Sequence, residues 1–219
     1  GKDGTILCHK AITVPYFDLS RYDMPEFYRF HTANGEGEYV DENIVERPTG
    51  LHLYLYLLER YFIGLPEEEC GKGKYTRSDL EGFILRDDVL YMDEEPAYTA
   101  DTLAALKITG SPTSLYMANF WGHDENLMYY RNHCYPYMSP GWGSTSDYIL
   151  LSNGDTWDVA MYSNWSFWSS GGAFTCFDQD EYSVRPGTQM TVNTQAYGTT
   201  FEGSDFYPFS NLDVFLYND

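Results

Sequence analysis

Thr49 to Ile63 has few polar residues, and this stretch limits the folds open to the chain. Leu51, Tyr54, Leu55, Leu58 and Phe62 recur at the spacing of one helix face. Leu53, Tyr56 and Leu57 carry that face around most of the circumference, leaving His52, Glu59 and Arg60 as a polar edge. Pro48 and Thr49 supply a start signal; Gly64 and Pro66 supply a stop. A helix this apolar has to be covered, so it is expected to lie across a sheet.

The sheet is expected between Asn119 and Tyr162. Ser114 to Trp121 reads as a strand entering it, Leu127 to Tyr130 as the next, and Asn132-His133 as the polar pair where the backbone reverses. Asp147 to Leu151, Ser152-Asn153-Gly154-Asp155 and Thr156 to Tyr162 read as strand, turn and strand, because Asn-Gly tolerates the positive φ of a tight hairpin. Trp157, Val159 and Met161 alternate with Thr156, Asp158, Ala160 and Tyr162, the period of a strand buried on one face. The Trp157 ring and its companions are expected to pack beneath the Leu-rich helix. The fold class is therefore α+β.

Around this centre, Thr5 to Tyr16 alternates and reads as an opening strand, with Pro15 at its end or at an edge. Ser78 and Glu81 match a capping box for a short helix through Leu85, and Thr99 to Lys107 reads as another. Asn164 to Gly172, with Trp165, Phe167 and Trp168, is an aromatic linker. Beyond it Phe174 to Phe177, Tyr182 to Val184, Gln189 to Thr194 and Leu212 to Tyr217 read as short strands, with Arg185-Pro186-Gly187 as a turn. The expected organisation is one domain over 1–163 with loop insertions, then a linker and short all-β tail over 164–219. That tail is either a partial immunoglobulin-like module, since a whole one needs about 100 residues, or an extension packed on the first domain.

Charge narrows the partners. Against 13 basic residues stand 33 acidic ones, a net charge of −20. Such a field repels phosphate backbones and anionic lipid, so neither a nucleic acid nor a polybasic membrane contact is expected. No apolar run approaches the ~20 residues of a membrane span, so no membrane insertion is expected. The 21 tyrosines suit wet contact surfaces, where a ring packs and its hydroxyl stays hydrated. Cys8, Cys70, Cys134 and Cys176 contain no CxxC, which excludes a zinc ribbon or thioredoxin-type site. Three disulfide pairings, or buried thiols, remain open. Gly1-Lys2-Asp3 reads as a mature start after a removed export signal. No cofactor is expected.

Three constellations offer chemistry. Gly122-His123-Asp124-Glu125-Asn126 is the densest polar cluster. Asp124, Glu125 and Asn126 would give oxygens to Ca²⁺, or His123 with a carboxylate would bind a transition metal. Their consecutive placement lacks the alternation of an EF-hand loop, and the same residues also suit a self-capped turn. His133-Cys134 cannot act as a nucleophile–base pair, because neighbours on a strand face opposite ways. Cys134 would need a partner from elsewhere, such as His52 or Asp147, and a hydrolase would use Cys134 or His123 with a carboxylate such as Asp124. Trp142, in Pro140-Gly141-Trp142-Gly143, suits either a contact surface or satellite packing. With Tyr137 and His123 it forms the expected ligand-contact set, on loops at one end of the meander. Phosphate-binding glycine loops, paired catalytic carboxylates and basic stripes are absent from the sequence.

Tyr129-Tyr130-Arg131-Asn132-His133, Pro136, Tyr148 to Asp155 and the strand from Trp157 together resemble one line of a known family. That family is the transcobalamin C-terminal-like domain, found in bacterial surface proteins and as the smaller β-rich lid of vitamin B12 carriers. Its line is an aromatic strand, an Asn turn, a Pro, then Tyr-x-Leu-x-x-Gly-Asp. Here one extra residue precedes Gly154-Asp155, and His133 stands where a glycine usually follows the turn Asn. The likeness is close over 119–162 and extends in outline over 5–162, with insertions at Tyr16 to Glu46 and Glu67 to Thr99. It implies a β-grasp-like mixed sheet with one helix across it. It further implies an exported, non-catalytic module, extracellular or at the bacterial cell surface, with a glycan, peptide or protein partner. A corrinoid would need a separate partner chain to complete its cavity; a cysteine- or metal-dependent hydrolase is the alternative class.

Overall fold

The stretch after Pro48 is helical: α1 (Gly50–Leu57) runs on into a π-helical turn over Leu58–Ile63, which Gly64 closes at φ 85°. The computed structural model describes residues 6–24, 31–33, 36–39, 46–86, 89–91, 103–104, 106–111, 114–121, 123–124, 127–135, 137–139, 142–143, 145–147, 149–161, 173–198 and 206–208. Leu51, Tyr54, Leu55 and Leu58 are buried, and Phe62 is partly so. His52 and Glu59 are not a polar edge; both are buried. Their polar atoms are spent on other protein groups, which offsets the cost of burying them. His52 Nδ1 accepts from Thr49 N at 3.1 Å and lies 2.9 Å from Thr49 Oγ1, a capping box with an imidazole at the third position. Its proton therefore sits on Nε2, 2.9 Å from the Phe17 carbonyl.

In chain order the strands are β1 (His31–Ala33), β2 (Glu36–Tyr39), β3 (Ile84–Arg86), β4 (Val89–Tyr91), β5 (Leu103–Ala104) and β6 (Leu106–Ser111). Then come β7 (Ser114–Phe120), β8 (His123–Asp124), β9 (Leu127–Arg131), β10 (Tyr137–Ser139), β11 (Trp142–Gly143) and β12 (Trp157–Met161). The tail holds β13 (Ala173–Phe177), β14 (Thr194–Gly198) and β15 (Phe206–Pro208). A second helix, α2 (Arg77–Gly82), precedes β3. The sheets are β1-β2, β4-β3-β5, β6-β7-β8, β12-β9, β10-β11 and β13-β14-β15. The architecture is α+β. Among the described residues all strand pairings are antiparallel and no continuous mixed sheet spans them.

Aromatic rings join α1 to the strands. Tyr54 meets Phe120 of β7 edge-on at 4.9 Å and Trp157 of β12 at 6.0 Å. Trp157 Nε1 donates to Tyr54 Oη at 3.2 Å, and its ring stacks on Tyr129 of β9 at 5.5 Å. Gly50 lies where a side chain has no room: a Cβ there would stand 2.6 Å from the Trp157 ring and 3.0 Å from the Ser146 carbonyl. Alanine is the better helix former by about 1 kcal/mol. Gly50→Ala is nevertheless expected to cost about 1–3 kcal/mol through overpacking. Urea melts decide this, and an unchanged midpoint would mean that the indole simply moves aside.

The hairpin expected around Asn153-Gly154 does not form. Asp155 N donates to Ser152 O at 3.1 Å, but only Gly154 of the pair has positive φ, as in a type II turn rather than the type I′ turn of a tight hairpin. Ser146 to Leu151 instead serves the start of α1. Ile149 O accepts from Gly50 N at 2.9 Å and Ser146 O accepts from Leu51 N at 3.1 Å, satisfying two donors that a helix start leaves open. Strand β12 therefore pairs with β9, with Val159 opposite Tyr129. The tight turn lies at Asn132-His133, with φ of 52° and 62°. Arg131 and Cys134 exchange both backbone hydrogen bonds across it, at 2.9 and 3.0 Å.

Other expectations shift. Residues 6–16 form no strand, although Ile12, Val14 and Tyr16 alternate in burial with Ala11, Thr13 and Pro15. Proline removes one ladder donor there. Helix α2 starts from Thr76 with Asp79, not Ser78 with Glu81, and ends at Gly82 rather than Leu85. Glu81 is engaged elsewhere, accepting from Arg77 Nε and Ile108 N at 3.0 Å each. Within the region read as a helix over Thr99 to Lys107, Leu103–Ala104 and the start of Leu106–Ser111 are strand, because ladder pairing with β3 and β7 outweighs local helix propensity. In the tail, β13 falls on Phe174 to Phe177. Tyr182 to Val184 has no ladder, and β14 begins only at Thr194. Leu212 to Tyr217 and the linker over 164–172 lie outside the described residues.

Candidate functional site

Two of the three expected contact residues are brought together. Tyr137 and Trp142 fall on the paired strands β10 and β11, with Tyr137 opposite Gly143 and Ser139 opposite Trp142. Strand β10 also lies beside β2. His123 is elsewhere, on β8 opposite Phe120, with Asp124 opposite Asn119. Glu125 and Asn126 lie outside the described residues. Among the described residues no group of three or more His, Cys, Asp and Glu could hold a metal ion.

The turn that leads into β10 is the densest polar site described. Arg131 grips Asp155 with two nitrogens, at 2.9 and 3.2 Å, and both side chains are largely buried. Asn132 Nδ2 donates to the same carboxylate at 3.2 Å, and Asn132 Oδ1 accepts from Thr156 N at 3.0 Å. This network locks the β9 end against the start of β12. His133 then places Nδ1 at 2.8 Å from Asp158 and Nε2 at 2.6 Å from Asp180. Its ring stacks on Phe174 of β13, which itself stacks on Tyr130 of β9 at 4.0 Å. Tyr135 meets Tyr130 edge-on at 6.3 Å.

No family model, no curated protein and no solved structure matches this chain.

Three of the groups named for a nucleophilic reaction, His52, His133 and Asp147, hold other protein groups. No disulfide joins the four cysteines. Burial pushes the Cys70 thiol up to about 11, with the Glu59 charge adding to the effect, and burial also raises Cys8 and Cys176. A thiolate nucleophile needs the opposite shift. His52 has both ring nitrogens committed, and burial lowers its pKa to about 4. His133 is held by two aspartates rather than by Cys134. Asp147 accepts from Leu115 N at 3.0 Å inside the core.

Sequence reading passed over Asp155, Asp158 and Asp180 as site residues. One signal was legible. A histidine in the second position of a tight turn, where glycine is favoured, must be held there by something.

Proposed function

We propose that this chain is a non-catalytic binding module of an exported protein, extracellular or at a bacterial cell surface. On this reading the fold is β-grasp-like, of the transcobalamin C-terminal-like kind, with α1 as the single helix across β7, β9 and β12. The observation that carries the binding role is the β10-β11 pair. It sets Tyr137 and Trp142 on two paired strands that follow the locked Asn132-His133 turn in the chain. A pair of positions fixed by strand pairing lowers the ordering cost of binding, and Trp and Tyr are the residues most often central to a contact. The commitment of His52 and His133 within the protein favours a binding role over a hydrolytic one. No helix among the described residues is long and apolar enough to cross a membrane.

The ligand class is a glycan, a peptide or a protein surface. Screening the full chain on glycan and peptide arrays, with cobinamide absorbance as a further arm, identifies a ligand. Trp142→Ala is then expected to weaken it by about tenfold or more with the melting temperature unchanged. Equal affinity of the variant for every ligand found would remove Trp142 from the site.

A further inference from the structure

The His133 ring is held from both sides, by Asp158 on β12 and by Asp180 in the segment after β13. A carboxylate only accepts hydrogen bonds, so both ring nitrogens must donate, which the imidazolium does and the neutral ring does not. Losing the proton turns one nitrogen lone pair against a carboxylate. The backbone makes the same demand. At φ 62° His133 occupies a region that costs a non-glycine residue, so the turn relies on what the ring grips. The two aspartates also belong to different parts of the chain. Asp158 lies on the strand paired with β9, whereas Asp180 follows β13, whose Phe174 stacks on Tyr130.

We propose that His133 is a proton-operated clasp, tying the segment around Asp180 to the β9-β12 pair when charged and releasing it when neutral. No positive group shares this task among the described residues. Arg131, the nearest cation in sequence, is committed to Asp155. From β13, Cys176 is close enough to feel the charges of both Asp158 and Asp180. The ring thus faces negative groups within a chain of net charge −20. Burial pushes its pKa down, but the hydrogen bonds and charges of Asp180 and Asp158 outweigh this, leaving it above the ordinary value of 6.5. A histidine raised in this way gives its full contribution below 6.5 and loses it as pH climbs through the raised value. Asp180 is the arm that opens. Its side chain is 59% exposed against 35% for Asp158, so water replaces the lost bond more readily. The segment moves as a unit, because Asp178 accepts from Asn193 Nδ2 at 2.9 Å and from the Tyr182 hydroxyl.

The test is an NMR titration of the ¹⁵N-labelled chain across neutral pH, following the His133 ring nitrogens and the amides of 178–182. Both ring nitrogens are expected to be protonated on the acid side, with a midpoint above 6.5 and the five amides shifting at that same midpoint. Asp180→Asn, a change at an exposed site, is expected to lower the ring midpoint and abolish the coupled shift. His133→Asn, which tolerates the positive φ, is expected to remove the transition at 178–182 altogether. A ring midpoint at or below 6.5, or amides unmoved while the ring titrates, overturns the proposal from the wild-type chain alone.

Discussion

Glu59→Ala is expected to lower the unfolding free energy by about 2–5 kcal/mol. Glu59 is wholly buried on the π-helical turn, and its two oxygens serve two other parts of the chain. Oε1 accepts from the Tyr22 hydroxyl at 2.9 Å, and Oε2 accepts from Gly71 N at 2.7 Å. Tyr22 is wholly buried on the short 3₁₀ turn Leu19–Tyr22, and Gly71 sits against the Phe17 ring at φ 76°. Truncation leaves both donors without an acceptor in a dry interior, each costing about 1–3 kcal/mol. Glu59→Gln keeps an acceptor for one of them and should lose less. Chemical denaturation of both variants measures the difference. If alanine cost no more than glutamine, water would be reaching these donors and the clamp would be superficial.

The second large effect appears as a pH dependence. Asp147 is buried beside α1. Its Oδ2 accepts from Leu115 N at 3.0 Å, and Oδ1 has no hydrogen-bond partner among the described residues. Burial lifts its pKa from 3.8 to about 6, against the opposing pull of bonds from Thr145 and Leu115. A carboxyl raised in the folded state binds its proton more tightly there than in the unfolded chain. Its favourable contribution is complete below 3.8 and lost as pH rises to about 6, a change of about 3 kcal/mol. His52 runs the other way. Lowered from 6.5 to about 4, it supports the fold above 6.5 and loses about 3 kcal/mol as pH falls. The two slopes oppose each other over the same window, so the wild-type profile conceals both. Asp147→Asn exposes one of them. Its stability relative to wild type should climb by about 3 kcal/mol between pH 4 and pH 6.5 in paired urea melts. A difference that stayed constant with pH would assign Asp147 an ordinary carboxyl.

Local patterns located the elements whose signal is continuous in the chain. Leu51, Leu53 to Tyr56 and Leu58 are buried, β7 and β9 fall on the runs read as strands, and Trp157 reaches the helix. Failures occurred where one segment's hydrogen bonds were claimed by a distant one. Asp147 to Leu151 reads as a strand, but the open donors of α1 take the carbonyls of Ile149 and of Ser146 just before it. His52 and Glu59 read as polar surface, yet Thr49, Phe17, Tyr22 and Gly71 satisfy them inside. Of the expected contact set, Tyr137 and Trp142 fall on two paired strands, whereas His123 belongs to another sheet. The His133 site was half legible: its turn was visible, and its carboxylates were not.

The residues alone determined that a Leu-rich helix needs a cover, that the backbone reverses at Asn132-His133, and that the fold is α+β. Those properties follow from side-chain period and φ preference, which neighbours in sequence settle among themselves. Only the tertiary structure decided which strand pairs with β12, which polar groups go inside, and which aspartates close on His133. Each of those choices joins residues tens of positions apart, and a hydrogen bond over that distance leaves no period in the chain to read.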